Sequence, residues 1–223
     1  MTFADQNSQK ETVVLLHGIL KSKTDMLKMK KALEKEGYDT LNIFYPSRSK
    51  SLTELASFIN DKINQQPKPD KLHFVVHSMG GLVTRYYIDK YAPENIGNIV
   101  MLSTPNTGSE FADKLKAAPI LSPLFKLIYG PAGQQLSTNY NHPIPKNTTI
   151  GIIAGTKSIN PLSPFFLPRK HVGEHDGMVP VKRTHIDGET DHITPPVNHT
   201  TMMKNKDVIN QTIHFLKYKK FDT

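Results

Sequence analysis

The order of apolar and amphipathic segments predicts an α/β protein with a mostly parallel central sheet and helices on both faces. Three observations carry this expectation. Thr12–Leu16, Leu72–Val76 and Asn98–Ser103 are short apolar runs rich in β-branched residues, as in strands covered on both sides. Segments with apolar residues at helical spacing separate them. Gly18 and Ser78 lie at the ends of two of the runs, each one histidine beyond, and in such sheets the reacting groups gather at the carboxyl ends of the strands.

Taken in order, Thr12–Leu16 reads as a central strand ending at His17 and Gly18. From Lys23 to Lys35, residues Met26, Leu27, Met29, Ala32 and Leu33 form one apolar helix face, and Gly37 stops the helix. Thr40 to Tyr45 is the next strand, followed by a loop at Pro46. Leu52, Leu55, Ala56, Phe58, Ile59 and Ile63 then mark a helix that ends before Pro67 and Pro69. After the strand at Leu72–Val76 comes a tight turn at Ser78. Leu82, Val83, Tyr86, Tyr87 and Tyr91 continue it as a helix.

The alternation breaks between Thr104 and Asn147. Phe111, Leu115, Leu121, Leu124, Phe125 and Ile128 make this segment apolar, and Pro119 and Pro123 interrupt it. Residues 105–147 are expected to form a cap or lid, the other reading being an ordinary packed helical excursion. Thr149–Ala154 is a further buried strand. Pro161–Pro168, with Phe165 and Phe166, has too many prolines for a helix and reads as a pocket wall, a membrane-touching loop or a packed turn. Lys204 to Lys219 is a helix with Val208, Ile209, Ile213, Phe215 and Leu216 inward, and lysines in its last turn suit the negative end of the helix dipole.

A length of 223 residues fits one domain spanning 1–223, and no linker composition divides it. The absence of cysteine excludes disulfides, thiolate catalysis and cysteine-ligated zinc. Met1 to Glu11 has no apolar core of a secretory signal, and no run reaches the ~18 apolar residues of a membrane span. A cytoplasmic protein is expected, or a secreted one if a leader was removed ahead of this numbering. The net charge of +8 would favour anionic partners, but the lysines are scattered over helix faces, so no nucleic-acid partner is expected.

The chemistry centres on Phe74-Val75-Val76-His77-Ser78-Met79-Gly80-Gly81. A serine on a strand-turn-helix corner, with small residues where the chain crowds itself, has the form of a nucleophile elbow. Together with Leu15-Leu16-His17-Gly18-Ile19-Leu20, it resembles the α/β-hydrolase fold and, within it, the small bacterial lipases and esterases. Thr104 to Ser109 and Tyr129 to Leu136 resemble segments of the same lipases. One departure stands out: the first glycine position of the elbow is Val76, which implies a wider corner or a compensating small neighbour.

The resemblance implies a serine hydrolase that cleaves carboxylic esters through an acyl-enzyme. Its substrate would be a small-molecule or lipid ester, with transient contact at a membrane or lipid interface. The family's chain order of serine, acid, histidine points to Ser78, Asp176 and His199. Asp176-Gly177-Met178-Val179-Pro180 resembles the acid loop, and His199 lies just before the final helix. Glu174, Asp187 and Asp191 compete as acids; His175, His185 and His192 compete as bases. Backbone N–H groups of Ile19 and Met79 would form the oxyanion hole. No cofactor or metal is required.

Two other readings remain. His171-Val172-Gly173-Glu174-His175 fits the zinc-peptidase pattern H-x-x-E-H, but the surrounding glycines and prolines oppose the helix that pattern needs. The same triad also serves thioester or amide hydrolysis and acyl transfer, and a degenerate member of the fold would act as a lipid- or partner-binding module.

Overall fold

The computed structural model describes residues 11–108, 110, 114, 130–132, 144, 148–161 and 163–222. Most of the expected insertion at 105–147 therefore lies outside the described residues. Among the described residues, six parallel strands form one sheet: β1 (Glu11–Leu16), β2 (Asp39–Ile43), β3 (Lys71–His77), β4 (Ile96–Leu102), β5 (Ile150–Ile153) and β6 (Asp191–Ile193). Their spatial order is β2-β1-β3-β4-β5-β6. Among the described residues, α1 (Leu27–Lys35), α2 (Leu52–Asn64), α3 (Met79–Tyr91) and a last helix, Lys206–Tyr218, supply the long helical segments. None is long and apolar enough to cross a membrane.

The two faces of the sheet explain the unbroken apolar runs. Val14, Leu16, Phe74 and Val76 point to the side covered by α2 and α3, whereas Val13, Leu15, Val75 and Val100 pack with α1 and the last helix. Successive strand residues face opposite ways, so a strand covered twice turns apolar side chains to both faces along most of its length. Each fully buried leucine or isoleucine contributes about 1.5–3 kcal/mol. α2 turns Leu52, Leu55, Ala56, Ile59 and Ile63 inward along one stripe. A capping box starts it: Ser51 Oγ accepts from Glu54 N at 3.3 Å, and Glu54 accepts from Ser51 N at 2.8 Å.

Several local readings are corrected. The first helical segment opens as a 3₁₀ turn, Lys23–Met26, under its own Ser22 capping box, and becomes α-helical only at Leu27. β2 stops at Ile43, and Tyr45, although fully buried, has already left the sheet. A helical turn does form at Ser163–Phe166. Pro164 sits in its first turn, where a missing N–H costs nothing. β6 was not anticipated, because Asp191-His192-Ile193 has no apolar run; it is recruited by pairing with β5 at the sheet edge.

Candidate active site

Ser78 stands between β3 and α3 with φ +53° and ψ −123°, a conformation that L-residues rarely adopt. Its N–H donates to Leu102 O at 2.9 Å, and its own carbonyl accepts from Gly81 N at 3.0 Å. The turn thus needs a strand on one side and a helix start on the other. Glycine is required where α3 crosses β1: a Cβ on Gly80 would stand 2.8 Å from Leu16 O and 3.0 Å from His17 O. Val76, in contrast, is fully buried among the core residues beneath α2 and α3. The close approach falls on Gly80 and on Gly81, whose added Cβ would meet the Thr104 side chain.

The structure brings Ser78, His199 and Asp176 together. His199 Nε2 lies 3.0 Å from Ser78 Oγ, and His199 Nδ1 lies 2.6 Å from Asp176 Oδ2. Nδ1 therefore donates to the carboxylate, which leaves Nε2 to accept from the serine hydroxyl. Asp176 is 1% exposed, and its other oxygen accepts from Met178 N at 3.0 Å and Val179 N at 2.8 Å. Burial pushes its carboxyl up, but the charge and hydrogen bond of His199, with hydrogen bonds from Ser103 and Val179, outweigh burial and hold it below its ordinary value. His199 N also donates to Asp176 O at 3.1 Å, locking the two loops backbone to backbone.

The competing residues stand elsewhere. Glu174 and Asp187 are exposed, while Asp191 accepts from His192 N and Phe221 N. His175 accepts from Gly177 N at 3.1 Å and so shapes the acid turn. His185 and His192 stack on each other at 4.1 Å, with His185 against Glu189 and His192 against Thr184. The H-x-x-E-H helix breaks at Gly173, whose φ is +78°, so His171 and His175 do not share a helical face.

Ile19 occupies a four-residue turn closed by Lys21 N to Gly18 O at 3.2 Å, with Leu20 at φ +59°. Its amide has no hydrogen-bond partner among the described residues. Met79 opens α3, so its amide is one of the first-turn donors without an intrahelical acceptor. The loop before Ile19 is fixed by Tyr45, whose hydroxyl donates to His17 O and whose ring stacks on His17 at 4.3 Å.

Sequence reasoning missed Ser103 and Tyr45. Ser103, at φ +45° just after β4, accepts from Gly155 N at 3.1 Å, and its hydroxyl helps to hold the Asp176 carboxyl below its ordinary value. A polar residue at the carboxyl end of a buried strand was the available signal. Tyr45 looked like an ordinary strand residue, and nothing local distinguished it.

The model of the alpha/beta hydrolase fold family matches residues 11–140, more than half of the chain, and the chain belongs to that family. No curated protein sequence matches it. Among solved structures, the mature form of the lipase BlEst2 from Bacillus licheniformis is similar at 21% identity and TM-score 0.77, over 94% of this chain and 93% of that one. Phospholipase PlaB from Legionella pneumophila is similar at 15% identity and TM-score 0.68, over 94% of this chain and 60% of that one. Carboxylesterase CesB from Bacillus subtilis is similar at 13% identity and TM-score 0.55, over 95% of this chain and 85% of that one. At such identities the likeness is one of fold.

Proposed function

We propose that the protein is a serine hydrolase of carboxylic esters, a lipase or esterase acting on acyl lipids. The observation that carries this reading is the continuous hydrogen-bonded chain from Asp176 through His199 to Ser78 at the carboxyl edge of the sheet. Membership of the hydrolase family and likeness to the structures of a lipase, a phospholipase and a carboxylesterase support it.

In the proposed reaction, His199 Nε2 takes the Ser78 proton as Oγ attacks the ester carbonyl. The N–H groups of Ile19 and Met79 stabilise the oxyanion, and Asp176 orients His199 and balances its charge. The alcohol leaves with the proton from His199, and water then hydrolyses the acyl-Ser78 by the same steps. Residues 105–147 would form a cap within a single domain, contributing to the acyl site and to contact with a lipid interface.

The test is hydrolysis of p-nitrophenyl esters of increasing acyl length, with Ser78→Ala and His199→Ala beside the wild type and intact-mass detection of a fluorophosphonate adduct. The expected result is an adduct on Ser78 and loss of turnover in both variants. A wild type that takes no adduct and cleaves no ester overturns the reading and favours a binding module. Faster cleavage of matched thioesters or amides moves the assignment to those substrates.

A further inference from the structure

His77 takes no part in the proton path above, yet it is a fully enclosed titratable group beside that path. It is 1% exposed, and its Nε2 lies 2.9 Å from the carbonyl oxygen of His199. The two imidazole rings are 4.7 Å apart, centroid to centroid. A carbonyl oxygen only accepts, so Nε2 carries the proton and Nδ1 keeps its lone pair. Nδ1 has no hydrogen-bond partner among the described residues. It faces Gly18, where an added Cβ would stand 2.7 Å away.

Three segments of the site therefore meet on one ring. The turn at Ser78 is joined to it covalently, the loop of His199 by a hydrogen bond, and the loop ahead of Ile19 by close contact. His199 lies in irregular chain, so its imidazole is aimed by its backbone. Its N–H is tied to Asp176 O, and its carbonyl is tied to His77. Burial first, then the neighbouring charges of His199 and Lys21, holds His77 well below the ordinary histidine value. A neutral ring adds no positive charge beside His199 when that residue becomes an imidazolium.

We propose that His77 is a positioning residue, a neutral bracket that holds the carbonyl of His199 and the loop at Gly18 in register with Ser78. The inference rests on the ester-hydrolase reading and deepens it. What it requires is a donor at the position of Nε2, which a glutamine amide can supply. A methionine of similar length cannot, and an asparagine places its amide too close to the backbone.

The experiment measures kcat and KM on p-nitrophenyl esters for His77→Gln, His77→Met and His77→Asn, with reactive sites counted by fluorophosphonate titration so that misfolded protein does not enter the rate. His77→Met and His77→Asn are expected to lose about 10- to 100-fold in kcat per titrated site, with KM changed less than about threefold. His77→Gln is expected to stay within about threefold of the wild type. Equal kcat per site in the methionine and glutamine variants overturns the bracket while leaving the hydrolase reading intact. A wild type without adduct or turnover overturns both. Nitrogen-15 shifts of wild-type His77 give a check that needs no variant: a neutral Nε2–H form throughout the ordinary histidine titration range is expected, and an Nδ1–H or charged form overturns the proposal.

Discussion

The turn at Ser78 and the paired loops of Asp176 and His199 solve the same problem, holding one side chain still, by opposite means. The turn is local. β3 ends, one strained residue follows, α3 begins, and Gly80 lets the helix lie against β1. The loops of Asp176 and His199 are assembled at long range, with the partners 23 positions apart and no strand or long helix under either side chain. Their rigidity comes from Asp176 bonding two amides of its own turn and from the backbone bond between the loops. A short strained turn tolerates no added atoms, whereas a distributed loop pair tolerates local change but depends on distant partners.

The largest expected effects compare the two regions directly. Ser78→Ala and His199→Ala should each lower kcat on the order of 10⁶-fold if all three residues act as one unit, measured on the best ester of the series. Asp176→Asn should cost less, on the order of 10⁴-fold, because the serine and the imidazole remain and only tautomer and charge balance are lost. Similar activity of Asp176→Asn and the wild type would break the comparison, since the long-range loops would then hold nothing that matters.

Smaller effects separate strain from packing. Gly80→Ala should destabilise by about 1–3 kcal/mol in urea unfolding, because the obstacles are backbone oxygens that no second substitution removes. The atoms nearest an added Cβ on Gly81 all belong to the Thr104 side chain, so Gly81→Ala combined with Thr104→Ser or Thr104→Ala should recover part of its loss. Val76→Ala should cost about 2 kcal/mol as an ordinary core truncation, with turnover per titrated site unchanged. A large change in that turnover would place Val76 in the geometry of the turn.

The mildest expected effect is in pH dependence. Burial holds both His17 and His77 below the ordinary histidine value. The unfolded chain binds protons as pH falls below about 6.5, while the folded chain refuses them. The stability tied to these groups is therefore complete above that pH and is lost as pH falls toward their folded values. Asp176, also depressed, keeps its contribution until pH falls below about 4. Urea midpoints at neutral and mildly acidic pH should differ less in His77→Gln than in the wild type; an unchanged difference would show that His77 is not what couples stability to pH.

The elements that were legible from residues alone are those whose cause is local. Val13 to Leu16 and Phe74 to Val76 could be recognised as strands because both faces are covered, and α2 because its apolar stripe repeats at helical spacing. The corner at Ser78 was visible because strand, serine, glycines and helix are contiguous. Ser78, Asp176 and His199 were selected from competitors by family likeness, since the residues themselves left Glu174, His175, Asp191 and His192 open. Only the tertiary structure set these three apart, by placing one histidine within hydrogen-bond reach of the serine and one carboxylate within reach of that histidine. It also decided β6, Tyr45, Ser103 and His77, whose partners lie 28 or more positions away, apart from the covalent link of His77 to Ser78. Periodicity and turn chemistry record interactions between neighbours in the chain; a hydrogen bond across the sheet leaves no such record until the strands have paired.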